Sequence, residues 1–164
     1  MSLSRTFDRH VAAQVNRQAT GALLGGLKGV EKESLRVTPR GLIARTPHPK
    51  GLGSALTNEH VTTDYSEALV ELVTPPFPHT WELLQYLCDL HKFVYRQLGD
   101  ELLWATSMPC AIKGEESIPI ARFGHSNVGT MKTVYRRGLG HRYGRVMQAT
   151  SGVHFNYSFP EHFW

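Results

Sequence analysis

The chain has 164 residues, of which 41% are hydrophobic and 20% are charged, and its formal net charge is +4. A chain of this length and composition can bury a hydrophobic core within one domain, which excludes an intrinsically disordered tail. No apolar stretch approaches the roughly 18 residues that a membrane-spanning helix needs, and the charged N-terminus contains no apolar signal segment. We therefore expect a cytoplasmic protein without a membrane partner.

The first half of the chain is predicted to contain a helix, a long strand, a long loop and a second strand. Apolar residues four apart over 4–19 indicate an amphipathic helix, which we assign to an N-terminal helical segment, residues 1–24. Residues 27–37 alternate as a strand does. The proline- and glycine-rich residues 38–60 predict an irregular loop, and residues 68–74 predict a strand that two prolines end.

The second half is predicted to contain two helices and a final strand. Residues 80–98 carry apolar side chains at helical spacing, and this stripe includes Cys88, which predicts that the thiol is buried. Residues 127–143 predict another helix, and the alternating residues 146–159 predict the last strand. Because no βαβ order appears, the sequence favours an α+β fold on an antiparallel sheet.

Polar side chains share strand faces at three places. Glu31 and Glu33 are two apart in the first strand, and Glu67 and Glu71 are four apart in the second, so each pair leaves one face. His154, Asn156 and Ser158 leave one face of the last strand. If the three strands are neighbours, the sheet has an apolar back and a carboxylate-lined front, whose oxygen ligands would suit Mg²⁺. The alternative interpretation is that these are the solvated faces of ordinary antiparallel strands.

Nucleotide and nucleic-acid motifs are weaker. Residues 124–130 have the outer glycines of a phosphate-binding loop but lack its lysine. A basic run could contact nucleic acid, but the small net charge favours a solvated helix face or a clamp for a small anion, and we expect no nucleic-acid partner. The basic residues of this run are Lys132, Arg136, Arg137, Arg142 and Arg145.

Four segments closely resemble the proteobacterial glutamate–cysteine ligase family, namely residues 29–37, 53–75, 99–110 and 133–160. The resemblance implies a ligase that uses ATP with Mg²⁺ or Mn²⁺ to join L-glutamate to L-cysteine through a γ-glutamyl phosphate, which is the first step of glutathione biosynthesis. It also implies a curved antiparallel sheet like that of glutamine synthetase, with helices on one side. Residues 25–164 would form the N-terminal part of that catalytic domain.

The resemblance also assigns site residues. It implies a metal cluster of five side chains, Glu31, Glu33, Asp64, Glu71 and His154. It implies a cysteine-side pocket of five others, Tyr65, Tyr135, Arg136, Leu139 and Gln148. The acids would act as metal ligands, and no residue would form a covalent intermediate.

The family's chains are much longer than this one, which lacks a later acidic strand and the arginines that complete the ATP and glutamate sites. We therefore expect the 164-residue chain alone to be inactive as a ligase and prone to aggregation. The alternative function is that of a non-catalytic fragment that binds Mg–nucleotide or an amino acid.

Overall fold

The fold is organised around one long central strand. The computed structural model describes residues 24–161 and, nearer the N-terminus, residues 5, 8, 9 and 11–13. In chain order the elements are β1 (Leu27–Val37), β2 (Val61–Thr62), β3 (Leu69–Val73), α1 (Thr80–Tyr95), β4 (Leu102–Leu103), α2 (Asn127–Tyr143), α3 (Arg145–Gln148) and β5 (Val153–Ser158). Short 3₁₀ turns lie at Lys50–Leu52 and Glu115–Ser117.

Strand β1 has antiparallel neighbours on both edges. On one edge it pairs with β3, which in turn pairs with β2. On the other edge, its first half pairs with β5 and its last two residues pair with β4. The described strands therefore form a purely antiparallel sheet in the order β2-β3-β1-β4, with β5 beside β4 on the same edge of β1. The predicted α+β class with an antiparallel sheet is confirmed.

Helix α1 covers the back of the sheet. The even-numbered residues of β1 point to this face, and the register places Leu72 opposite Lys32 and Val70 opposite Ser34. These two β3 side chains join one buried cluster with residues of α1 and its C-terminal turn. The cluster contains Leu52, Val61, Val70, Leu72, Val94 and Leu98, with Leu87, Leu90 and Leu103 packed against it.

The buried apolar cluster on the front of the sheet lies towards the C-terminal end of β1. Leu35 lies opposite Leu69, and both belong to a second buried cluster that also contains Tyr65 and Ile118. Leu139 of α2 packs against this cluster. The helices α1 and α2 therefore lie on opposite sides of the sheet, because each covers a different apolar part of the sheet. The resemblance implied helices on one side.

The prediction that Cys88 is buried is wrong, because its side of α1 faces solvent. Trp81 and Leu84, which share that side, are 68% and 53% exposed. The helix instead buries Leu83 and Val94, with Leu87 and Leu90 packed against the core between them. Both sides of the helix carry apolar residues, so helical spacing alone could not select the side that meets the sheet.

Two further predictions are corrected near the ends of the last elements. Residues 145–148 form α3 rather than the start of a strand, so β5 begins only at Val153. Glu67 does not share the face of Glu71, because β3 begins at Leu69 and Glu67 lies in the preceding turn. The predicted strand at 27–37 and helix at 127–143 are confirmed with those bounds.

Most of the predicted N-terminal helix, residues 4–19, lies outside the described residues. Within the described part of the chain, no helix is both long enough and apolar enough to cross a membrane.

Candidate functional site

Four polar side chains lie next to one another on the front of the sheet, and we call them the acidic face: Glu31, Glu33, Glu71 and His154. The register places Glu31 of β1 opposite His154 of β5, and Glu33 of β1 opposite Glu71 of β3. Directly opposed residues of antiparallel strands project from the same face, with Cβ atoms about 5 Å apart. The predicted sharing of one face by these groups is therefore confirmed. Lys32 points to the back, where its Nζ donates to Ser34 Oγ at 2.6 Å.

Two of the carboxylates are held by groups from the β5 segment. Glu33 Oε2 accepts a hydrogen bond from the backbone N–H of Gly152 at 2.6 Å, and Glu31 Oε1 accepts one from Asn156 Nδ2 at 3.1 Å. Gly152 has a steric reason to be glycine, because a Cβ there would lie 2.9 Å from His154 Nε2. The sequence-based site omitted Gly152 and Asn156, although Asn156 has the same strand parity as His154.

The acidic face is crowded with negative charge, which His154 offsets only in part. Burial raises the pKa of Glu71 to about 7, and the negative charges of Glu33, Asp64 and Glu31 act in the same direction. Burial also raises the pKa of Glu33, although the hydrogen bond from the N–H of Gly152 opposes this shift. Like charges held together in this way favour a proton or a bound cation.

Asp64 lies at the rim of the acidic face, where it meets α2. Its carboxylate Oδ1 is 3.1 Å from a guanidinium nitrogen of Arg136, and the guanidinium also donates to the Asp64 carbonyl. The Arg136 guanidinium packs over the ring of Phe123, with its carbon 4.5 Å from the ring centroid. The Ser126 hydroxyl caps α2 by accepting from the N–H of Gly129. Arg136 therefore joins the basic helix to the acidic sheet.

The predicted metal cluster has donors on one face that are not arranged around a single ion. Among the residues that the structure describes, no three His, Cys, Asp or Glu side chains are placed so that they could hold a metal ion as they stand. The donor chemistry nevertheless fits a hard divalent cation, because three carboxylates and an imidazole share one face. The carboxylate of Asp64 is close enough to act electrostatically on Glu33 and Glu71. The assignment of the five ligands stays a prediction.

The five residues of the predicted cysteine-side pocket have different environments. Tyr135 is exposed on α2, Arg136 contacts Asp64, and Gln148 is half-buried at the end of α3. Leu139 packs against the front apolar cluster. Tyr65 is 1% exposed, and its side chain belongs to that cluster.

The buried end of Tyr65 explains a feature of α2. Its hydroxyl has no hydrogen-bond partner among the residues that the structure describes, and a Cβ at Gly140 would lie 2.5 Å from it. Only glycine at position 140 allows the helix to pass this close to the phenol. Tyr65 thus acts in the packing of α2 against the sheet, and its predicted contact with cysteine stays a prediction.

The basic run of α2 does not form one surface. Arg136 pairs with Asp64, and Arg145 pairs with Glu116 at 3.3 Å. Neighbouring residues of a helix are about 100° apart around its axis, so Arg137 points away from Arg136. This division disfavours a continuous nucleic-acid footprint.

Comparison with known sequences identifies relatives of the chain. The model of the glutamate–cysteine ligase family matches residues 12–164. The glutamate–cysteine ligase of Alcanivorax borkumensis is 52% identical over 157 residues, which is 96% of this chain and 30% of the relative. That of Pseudomonas putida strain W619 is 57% identical over 138 residues, which is 84% of this chain and 26% of the relative.

Comparison with solved structures gives the same family. A glutamate–cysteine ligase from Francisella tularensis in complex with AMP matches with a TM-score of 0.82 and 44% identity, over 85% of this chain and 28% of that one. A bifunctional glutathione synthetase from Pasteurella multocida matches with a TM-score of 0.81 and 31% identity, over 90% of this chain and 19% of that one. The chain therefore spans less than a third of the length of these relatives.

Proposed function

Since the chain belongs to the glutamate–cysteine ligase family, we propose that it carries the metal-binding face of an ATP-dependent ligase that joins the γ-carboxyl group of L-glutamate to the amine of L-cysteine. The observation that supports this most strongly is the register of β1, which brings Glu31 beside His154 and Glu33 beside Glu71 on one face. Separate segments supply these groups, so only the folded sheet assembles them.

The acidic face would hold Mg²⁺ or Mn²⁺ through Glu31, Glu33, Glu71 and His154, with Asp64 at the rim. A bound cation would offset the negative charge between the ATP polyphosphate and the γ-carboxylate during phosphoryl transfer. The crowded carboxylates support this role, because charges that repel one another become favourable ligands when a cation is present. The side chains of Glu31 and Glu33 would turn from their hydrogen bonds to Asn156 and Gly152 to reach it.

Arg136 connects the acidic face to an amino-acid substrate. Its guanidinium is held by Asp64 in the structure. If Asp64 turns towards the cation, the guanidinium becomes available to a substrate carboxylate, for which its fork of donors is suited. Tyr135 is the adjacent exposed aromatic residue on α2. This arrangement supports a site in which a metal–nucleotide and an amino acid bind side by side.

The proposal is tested in a chimera in which this chain replaces the matching 30% of the Alcanivorax relative. The chimera is incubated with ATP, L-glutamate and L-cysteine, with and without Mg²⁺, and γ-glutamylcysteine and phosphate are measured. We expect Mg²⁺-dependent turnover that is lost in Glu33→Gln and Glu71→Gln but kept in Asp100→Asn, which removes a charge from an exposed turn elsewhere.

A chimera that folds like the relative and binds Mg–ATP, but forms no γ-glutamylcysteine, would contradict the ligase. That result would support the alternative of a non-catalytic nucleotide-binding fragment. Equal loss of turnover in Asp100→Asn and Glu71→Gln would contradict the assignment of the acidic face.

A further inference from the structure

A second charged site lies outside the acidic face, in a cavity of about 390 Å³. Four arginines from four different segments line it, against two glutamates. The arginines are Arg45 from the loop after β1, Arg122 from the loop before α2, Arg137 from α2 and Arg145 from α3. None of the residues lining this cavity belongs to the predicted metal cluster or to the predicted cysteine-side pocket.

The two glutamates offset only part of the positive charge of the four arginines. Glu67 is buried, and its two oxygens accept the backbone N–H groups of His48 at 2.9 Å and Arg122 at 2.7 Å. Glu116 is exposed and pairs with Arg145. The carboxylates of the wall are therefore engaged with the backbone and with one arginine.

Three guanidinium groups remain without a partner. Within residues 24–161, no hydrogen bond or ion pair joins the guanidinium of Arg45, Arg122 or Arg137 to another residue. Like charges gathered around one cavity repel one another, and a bound anion removes this repulsion. The volume lies within the roughly 300–1,000 Å³ of typical small-molecule sites.

We propose that this arginine cavity binds a small anion through a phosphate group. Arginine presents a planar fork of donors that matches the oxygens of a phosphate, and three unpaired forks suit an anion with more than one negative charge. Inorganic phosphate and the phosphate of a nucleotide share this chemistry. The site differs from a metal–nucleotide site because it holds the anion through arginine, with no carboxylate free to hold a cation.

The test titrates the 164-residue chain with three probes in about 0.15 M NaCl and EDTA, so that no divalent cation can bind the acidic face. The probes are inorganic phosphate, AMP and acetate, and binding is followed by calorimetry and by the arginine side-chain N–H signals in NMR. We expect saturable binding of phosphate, of AMP or of both, with shifts at Arg45, Arg122 and Arg137, and no saturable binding of acetate. Mutual competition would show that both sources use the phosphate group.

Matched variants separate the cavity from general charge. We expect Arg137→Gln and Arg45→Gln to weaken binding about tenfold or more, Arg137→Lys to weaken it less, and Arg96→Gln to leave it unchanged. Arg96 is exposed after α1, on the other side of the sheet. A circular dichroism spectrum confirms that each variant folds.

Absence of saturable binding of both phosphate and AMP would overturn the proposal. Equal weakening by Arg96→Gln, or NMR shifts confined to the acidic face, would also overturn it. The titration contains no free divalent cation and measures no ligase activity, so absence of anion binding would not contradict the proposed ligase. Absence of turnover in the chimera would likewise not contradict anion binding in the arginine cavity.

Discussion

The two faces of strand β3 perform different tasks. Behind the strand, β3 and α1 bury apolar side chains such as Leu72 and Val94, which stabilise the fold. In front, Glu33 and Glu71 lie together with raised pKa values, so this face lowers stability near neutral pH. Strand β3 thus packs Val70 and Leu72 on one side and presents Glu71 on the other, because side chains alternate between the faces of a strand.

Removal of packing behind the strand should have the largest effect. Leu72→Ala should lower the free energy of unfolding by about 2–5 kcal/mol, because Leu72 is 1% exposed and the change leaves a cavity. Leu84→Ala, on the exposed side of α1, should change it by only about 0.5 kcal/mol or less. Urea denaturation measures both variants, and equal losses would contradict the assignment of the buried side of α1.

The close approach of α2 to Tyr65 should have the next largest effect. Gly140→Ala should destabilise the protein by about 1–3 kcal/mol, because the new methyl group would meet the Tyr65 hydroxyl. Gly138→Ala, where no atom lies within 4 Å, should stabilise it by about 0.5–1 kcal/mol through helix propensity.

A double-mutant cycle isolates this contact. Tyr65→Phe removes a hydroxyl that has no hydrogen-bond partner within the described part of the chain, so it should restore most of the stability that Gly140→Ala loses. Additive effects of the two substitutions, measured by thermal unfolding, would show that the phenol does not determine the need for glycine.

The acidic face should respond to pH. The pKa of Glu71 rises from 4.5 in the unfolded chain to about 7 in the folded protein. Protonation of this carboxylate therefore stabilises the folded state. This contribution is fully present below about pH 4.5 and is lost as the pH rises through about 7. Glu71→Gln should therefore stabilise the protein at pH 8, by on the order of 1–2 kcal/mol, and have little effect at pH 4.5. Unfolding curves at the two pH values measure this difference, with Asp100→Asn as control. A stabilisation by Glu71→Gln that does not vary with pH would contradict the raised pKa of Glu71.

The smallest test concerns the two thiols. Cys88 is exposed on α1, whereas Cys110 is buried and its pKa is raised by burial. A thiol reagent should modify Cys88 about tenfold or more faster than Cys110 in the folded protein. Mass spectrometry of the wild type and Cys88→Ser measures the two rates, and slow labelling of Cys88 would show that something covers this side of α1.

Local patterns predicted the main elements, but contacts between distant segments required the structure. Residues 27–37 and 127–143 could be assigned because alternation and helical capping are local properties of the chain. Strand parity also predicted which face Glu33 and His154 share. The pairing of Asp64 with Arg136 could not be predicted from spacing, because it joins residues that lie 72 positions apart.

Buried polar groups were predicted least well. Glu67 has the strand spacing of a front-face acid, but two backbone N–H groups hold it inside a turn. Tyr65 follows Asp64 directly, yet its ring lies in the core while the carboxylate of Asp64 is exposed at the rim. In both cases the depth of the side chain depends on loops from elsewhere in the chain, which no local pattern encodes.

The central claim is that the acidic face binds a divalent cation. The most direct measurement is a Mg²⁺ titration of the chain at pH 8, observed through the side-chain carboxyl signals of its glutamates in ¹³C NMR. We predict saturable shifts at Glu31, Glu33 and Glu71 and no shift at Glu59, which is exposed. In the Glu71→Gln variant, the shifts at Glu31 and Glu33 should be lost. Shifts of equal size at Glu59 and Glu71, or no shift at Glu71, would contradict it.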